Sequence, residues 1–152
     1  MLTAILPKQA DNRFRGQQAA IWIFVLVVIM KTGMAAVSLF NARQAASGAD
    51  GLPLDRYVGG GAETVLALFA LVGLCQLVLA LLGALAAIRY RSLIPLFFLV
   101  FLLEQLSRKL VLAYYPITRS TTESSGSIVT MVLLGLMVLG LLLSMIKRRD
   151  AG

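Results

Sequence analysis

The chain has no histidine and a single cysteine. The first absence removes the commonest metal ligand and the usual axial ligand of haem. The second excludes an intrachain disulfide and a CxxC redox pair. Cys75 lies inside an apolar run, where it is expected as a small buried hydrophobe. Ser107 and Ser144 have no histidine to activate them, and there is no Walker loop, GxSxG elbow or cluster of metal ligands. No enzymatic activity, cofactor or metal site is therefore expected. Charge is scarce too, at 14% of the 152 residues.

What the chain does hold is apolar. Hydrophobic residues make up 59% of it, and the mean hydropathy is +0.88. Several runs approach about 20 residues, the length that crosses a bilayer as a helix. The expected class is an all-α integral membrane protein, a bundle of four transmembrane helices at 19–40, 64–88, 93–115 and 127–146. These spans make one domain, 19–146, between an amino-terminal tail (1–18) and a basic carboxyl tail (147–152). The first run is longer than a signal-peptide core and reads as a retained helix. The net charge is +7 with a pI near 10.2. In a soluble chain that would point to nucleic acid, but here the basic residues flank the spans, so the bilayer is the expected partner.

The connections order the helices. Only Arg89-Tyr90-Arg91-Ser92 separates spans two and three, which implies a tight hairpin of antiparallel neighbours. Ser92 is the expected N-cap of span three, and Pro95 fits its first turn. The first loop, 41–63, contains Asp50, Gly51 and Asp55, which do not fit a calcium loop and read as turn residues, followed by Gly59-Gly60-Gly61. The third loop, 116–126, is rich in Ser and Thr. Lys8, Arg13, Arg15, Arg89, Arg91, Lys147, Arg148 and Arg149 fall on one side of this topology, and Arg43, Arg56 and Arg119 on the other. The positive-inside rule then places both termini in the cytoplasm. Trp22 and Tyr90 fall near the inner interface, and Tyr114 and Tyr115 near the outer one.

A charge within a span costs about 2.5–3.5 kcal/mol near the bilayer centre and turns toward partners or water. Counted from the inner ends, Lys31 lies at a depth of about 18 Å, Glu104 at about 16 Å and Arg108 at about 22 Å. All fall at or beyond the midplane of a hydrocarbon layer about 30 Å thick. Glu63, at the start of span two, belongs to the same outer half. Two pairings follow from depth: Lys31 with Glu104, and Glu63 with Arg108. Spacing adds two couples within span three, Glu104 with Arg108 and Gln105 with Lys109. Those four positions cover an arc of about 140° at about 100° per residue. The candidate site is thus the cluster Lys31, Glu63, Glu104, Gln105, Arg108 and Lys109. It reads either as a structural ion-pair network or as an anion site, since cations exceed anions in it.

Span two carries small residues at Ala67, Ala70, Gly73, Ala80, Gly83, Ala84 and Ala87, which permit close helix approach or a seam between two copies. Gln76 can hydrogen-bond across helices. The layout, with Lys31 near Gly33 in span one and Gly60-x-x-Glu63 leading into span two, resembles the small four-helix DoxX-like bacterial membrane families. That resemblance carries no functional residue across; the expected location is a bacterial cytoplasmic (inner) membrane. The expected function is a non-enzymatic accessory, assembly or interaction subunit, partnered by another membrane protein or by a second copy. The alternatives are a small-solute or lipid carrier with an anion site in the bundle, and a DoxX-like or quinone-linked redox subunit.

Overall fold

The fold was read from a computed structural model that describes Ile5, residues 10–116 and residues 125–146. The described residues are helical and contain no strand. Four long helices follow one another: α1 (Gln18–Phe40), α2 (Gly61–Arg89), α3 (Ile94–Tyr114) and α4 (Ser125–Met145). α1, α2 and α4 are each long and apolar enough to cross a membrane. α3 is as long as α4 but carries Glu104, Arg108 and Lys109. Lys8, Arg119 and Lys147–Arg149 from the charge count, together with most of the third loop and the carboxyl tail, lie outside the described residues.

The burial pattern of α2 is the reverse of a soluble helix. Its buried residues are Gly73, Gln76, Ala80, Gly83 and Ala86, while Leu68, Leu71, Leu74, Val78, Leu81 and Leu85 are exposed. A soluble chain would bury the leucines, because water drives apolar surface inward. Lipid exerts no such drive, so close packing of small residues holds the helices together. A Cβ at Gly73 would sit 2.7 Å from the backbone nitrogen of Leu39, which brings the α1 and α2 backbones into near contact. One at Gly83 would sit 2.7 Å from the ring of Phe101. Gly73, Ala80 and Gly83 of the small-residue stripe are thus buried within the molecule. Cys75, expected to be buried, is exposed: it shares the outer face of α2 with the leucines.

α1 packs chiefly against α2 and α4, and α3 chiefly against α4. The hairpin helices α2 and α3, expected as close neighbours, meet at Gly83 with Phe101 and at Gln76 with Glu104. The core is aromatic. The Phe24 ring lies edge-on to Phe98 at 5.0 Å and stacked on Phe101 at 5.9 Å. Val27, Val28, Ile94, Leu133 and Met137 complete it. All of these belong to the end of the molecule that holds the α2–α3 turn.

The same end is closed by the segment before α1. Ser92 sits in a short 3-10 turn, Arg91–Leu93, and makes no helix cap. Its hydroxyl instead accepts the Asp11 N–H at 3.0 Å and donates to the Asp11 carbonyl at 2.8 Å. The Gln17 N–H reaches the Leu143 carbonyl at 3.3 Å, serving one of the acceptors that the end of α4 leaves open. Phe14 packs on the core, and Gly16 lies so close to the Ser144 carbonyl that no side chain fits.

At the opposite end the first loop is built rather than open. A π-helical turn, Gln44–Ala49, and a 3-10 turn, Leu54–Arg56, bury Ala46, Leu52 and Leu54 against Val65, Leu66 and Phe69. Gly59 and Gly60 then take φ of 63° and 82° to turn the chain into α2, a conformation that costs glycine nothing.

Candidate functional site

Lys31 is the most enclosed charge among the described residues. It is 2% exposed, and its Nζ donates to Glu104 Oε2 at 2.5 Å. The ammonium also lies 5.2 Å from the centre of the Phe101 ring, within cation–π range. The second carboxylate oxygen of Glu104 accepts from Gln76 Nε2 at 3.4 Å. One residue from each of α1, α2 and α3 therefore meets at mid-height, directly above the phenylalanine stack. This is the partnership that equal depth implies. With both carboxylate oxygens engaged, the group fixes how the three helices rotate against one another.

The other expected couples do not form. Glu63 is exposed on the first turn of α2 and has no cation within 4.0 Å among the described residues. Glu104 turns to Lys31 and leaves Arg108, one helical turn further along, without a carboxylate within 4.0 Å among the described residues. Lys109 does not reach Gln105, and its Nζ lies 3.8 Å from Met131 Sδ of α4. Equal depth places Glu63 and Arg108 at one level without making them face, and within α3 a spacing of four permits a couple without requiring one: Glu104 is engaged by Lys31 and Lys109 by Met131.

Arg108, Lys109 and Gln105 instead line a cavity of about 620 Å³. Every long helix contributes to it. Gly33, Met34, Val37 and Ser38 come from the end of α1, Phe69 and Gln76 from α2, Leu112 and Ala113 from α3, and Ser127 and Thr130 from α4. The π-helical turn adds Ala45, Ala49 and the carboxylate of Asp50. Gly33 faces open space, with nothing within 4 Å of where its Cβ would stand. Gln105 is 2% exposed, and its side-chain amide bonds no other described residue, so the cavity is what its polar atoms meet.

The six-residue cluster thus divides into three. Lys31 and Glu104, with Gln76, form a buried tie; Gln105, Arg108 and Lys109 form a cavity wall; Glu63 stands apart. Lys31 is not on the cavity wall, so the hollow stops at the level of Gln76 and Gln105. Gly33 enters the sequence reading only as part of the DoxX-like layout, not as a site residue, and Ser127 and Thr130 are not singled out from the sequence. A signal for them exists, since Ser127 and Thr130 are polar residues three apart at the entry of an otherwise apolar helix. Among the described residues no group of three His, Cys, Asp or Glu could hold a metal ion. No family model, curated protein or solved structure matches the chain.

Proposed function

We propose that the chain is a multi-pass protein of a bacterial cytoplasmic membrane that binds a ligand and catalyses nothing. It is read as a four-helix membrane bundle in which α3 also spans, both termini are cytoplasmic and the hollow end faces outward. Its role is that of an accessory subunit that holds a small ligand near the outer surface. The observation that carries this reading is the cavity of about 620 Å³ set above a closed aromatic core. Two cations on its wall have no carboxylate within 4.0 Å among the described residues. Arg13, Arg15, Arg89 and Arg91 cluster at the closed end, which supports that end as the inner one.

A carrier is the second reading, favoured by the outer cavity itself. It would have to open the Lys31–Glu104 tie and the Phe24, Phe98 and Phe101 stack to pass anything inward, so binding without passage fits the packing better.

Single cysteines in a Cys75→Ser background test the orientation. Ser38→Cys should react with a membrane-impermeant maleimide on intact cells, and Arg91→Cys only after permeabilisation. The reverse pattern removes the proposed orientation, and an unreactive Ser38→Cys removes the accessible cavity. A stoichiometric membrane partner should survive gentle solubilisation; recovery of monomer alone removes the subunit role.

A further inference from the structure

The chemistry of the cavity wall is of two kinds. Arg108 and Lys109 are adjacent on α3, and Gln105 lies one turn below Arg108 with its amide toward the hollow. Together these present a guanidinium, an ammonium and a neutral donor, the set that recognises a phosphate or carboxylate. Asp50 is the one carboxylate among the described residues of the wall, and that described lining is net cationic. Glu104, immediately below, is neutralised by Lys31 and does not cancel that charge. The rest of the wall is apolar: Met34, Val37, Phe69, Leu112 and Ala113. A free inorganic anion would leave that surface empty, and a neutral lipid would leave the guanidinium and the ammonium without a counter-charge.

Resting on the reading of this hollow as a binding cavity, we propose that it holds an anionic amphiphile. The phosphate or carboxylate head sits between Arg108 and Lys109 with a bond from Gln105, and the first part of the chain lies along Met34, Val37, Phe69 and Leu112. Gly33 belongs to this site because the absence of its side chain keeps space for the apolar part.

The test is thermal unfolding of the full chain in dodecyl maltoside, a detergent with a neutral head. The added probes are dodecyl phosphate, decanoate and inorganic phosphate. Dodecyl phosphate and decanoate should raise Tm in a saturable way, at concentrations at least about tenfold below any effect of inorganic phosphate. Arg108→Gln with Lys109→Gln should weaken the response at least about tenfold, as should Gly33→Leu, each with little change in unliganded Tm. Gly33→Leu fills the hollow without altering charge, so it separates cavity binding from adhesion to the outer surface. The proposal is overturned if inorganic phosphate acts as well as dodecyl phosphate, or if both variants respond as the parent does. Native mass spectrometry from nanodiscs of mixed phosphatidylglycerol and phosphatidylcholine distinguishes the sources. Retained phosphatidylglycerol, lost in Gly33→Leu, identifies a membrane lipid, whereas a response to decanoate without retained lipid identifies a free amphiphile. Outside labelling of Ser38→Cys with no head-group-dependent shift overturns the ligand assignment and leaves the binding-cavity reading standing.

Discussion

Lys31 and Glu104 meet across 73 residues of sequence, and their contact is the point at which α1 and α3 are held in register. A charge removed from one side strands the other in a site with little water.

Lys31→Met and Glu104→Leu should each therefore destabilise the protein by about 3–5 kcal/mol, the usual cost of orphaning a buried ionic partner. The double variant should be more stable than the sum of the singles implies, because no charge is left behind. Thermal unfolding in detergent measures all three. Additive losses would show that the two side chains act independently.

The glycines separate by what faces them. Gly73→Ala should cost about 1–3 kcal/mol, since the added methyl meets the backbone of Ser38 and Leu39, which cannot swing aside. Gly140→Ala meets the buried ring of Phe98 and should fall in the same range, about 1–3 kcal/mol. Gly135 faces open space, and Gly135→Ala should be neutral or stabilising by up to about 1 kcal/mol. The same unfolding assay ranks them, and a loss at 135 equal to that at 73 would contradict this packing.

Ser92→Ala removes a hydroxyl that both accepts from and donates to the Asp11 backbone. Two such bonds contribute about 1–3 kcal/mol together. The loss should be local, read as faster amide exchange and protease cleavage within residues 10–17. Unchanged protection there would mean that Phe14 and Gln17 hold the segment alone.

Cys75 stands on the outer face of α2. Cys75→Ser should change stability by no more than about 0.5 kcal/mol, measured by thermal unfolding in detergent. A loss of more than about 2 kcal/mol would contradict the exposed placement of this side chain.

The helices were legible because lipid imposes a one-dimensional rule, a run of apolar residues of fixed length. The expected 93–115 is observed as Ile94–Tyr114, and the expected 64–88 as Gly61–Arg89. α2 begins earlier because Ala62 and Glu63 continue the helix beyond the apolar stretch, and polarity alone does not end one. The Lys31–Glu104 contact was legible for the same reason, since depth is also one-dimensional. Glu63 with Arg108 failed because depth says nothing of the angle of each helix about its axis, which packing sets. Ser92 reads locally as a cap, and only the docking of a segment more than eighty positions away redirects its hydroxyl. The hollow itself has no local signature, being made from five separate stretches.

The tether between Asp11 and Ser92 has a mechanical consequence. With the helix ends near it tied, a swing of α3 would be smallest there and largest at its far end. From Phe101 to the end of α3 is about 20 Å, so a swing of about 5° would displace that end by about 2 Å, the breadth of a methylene.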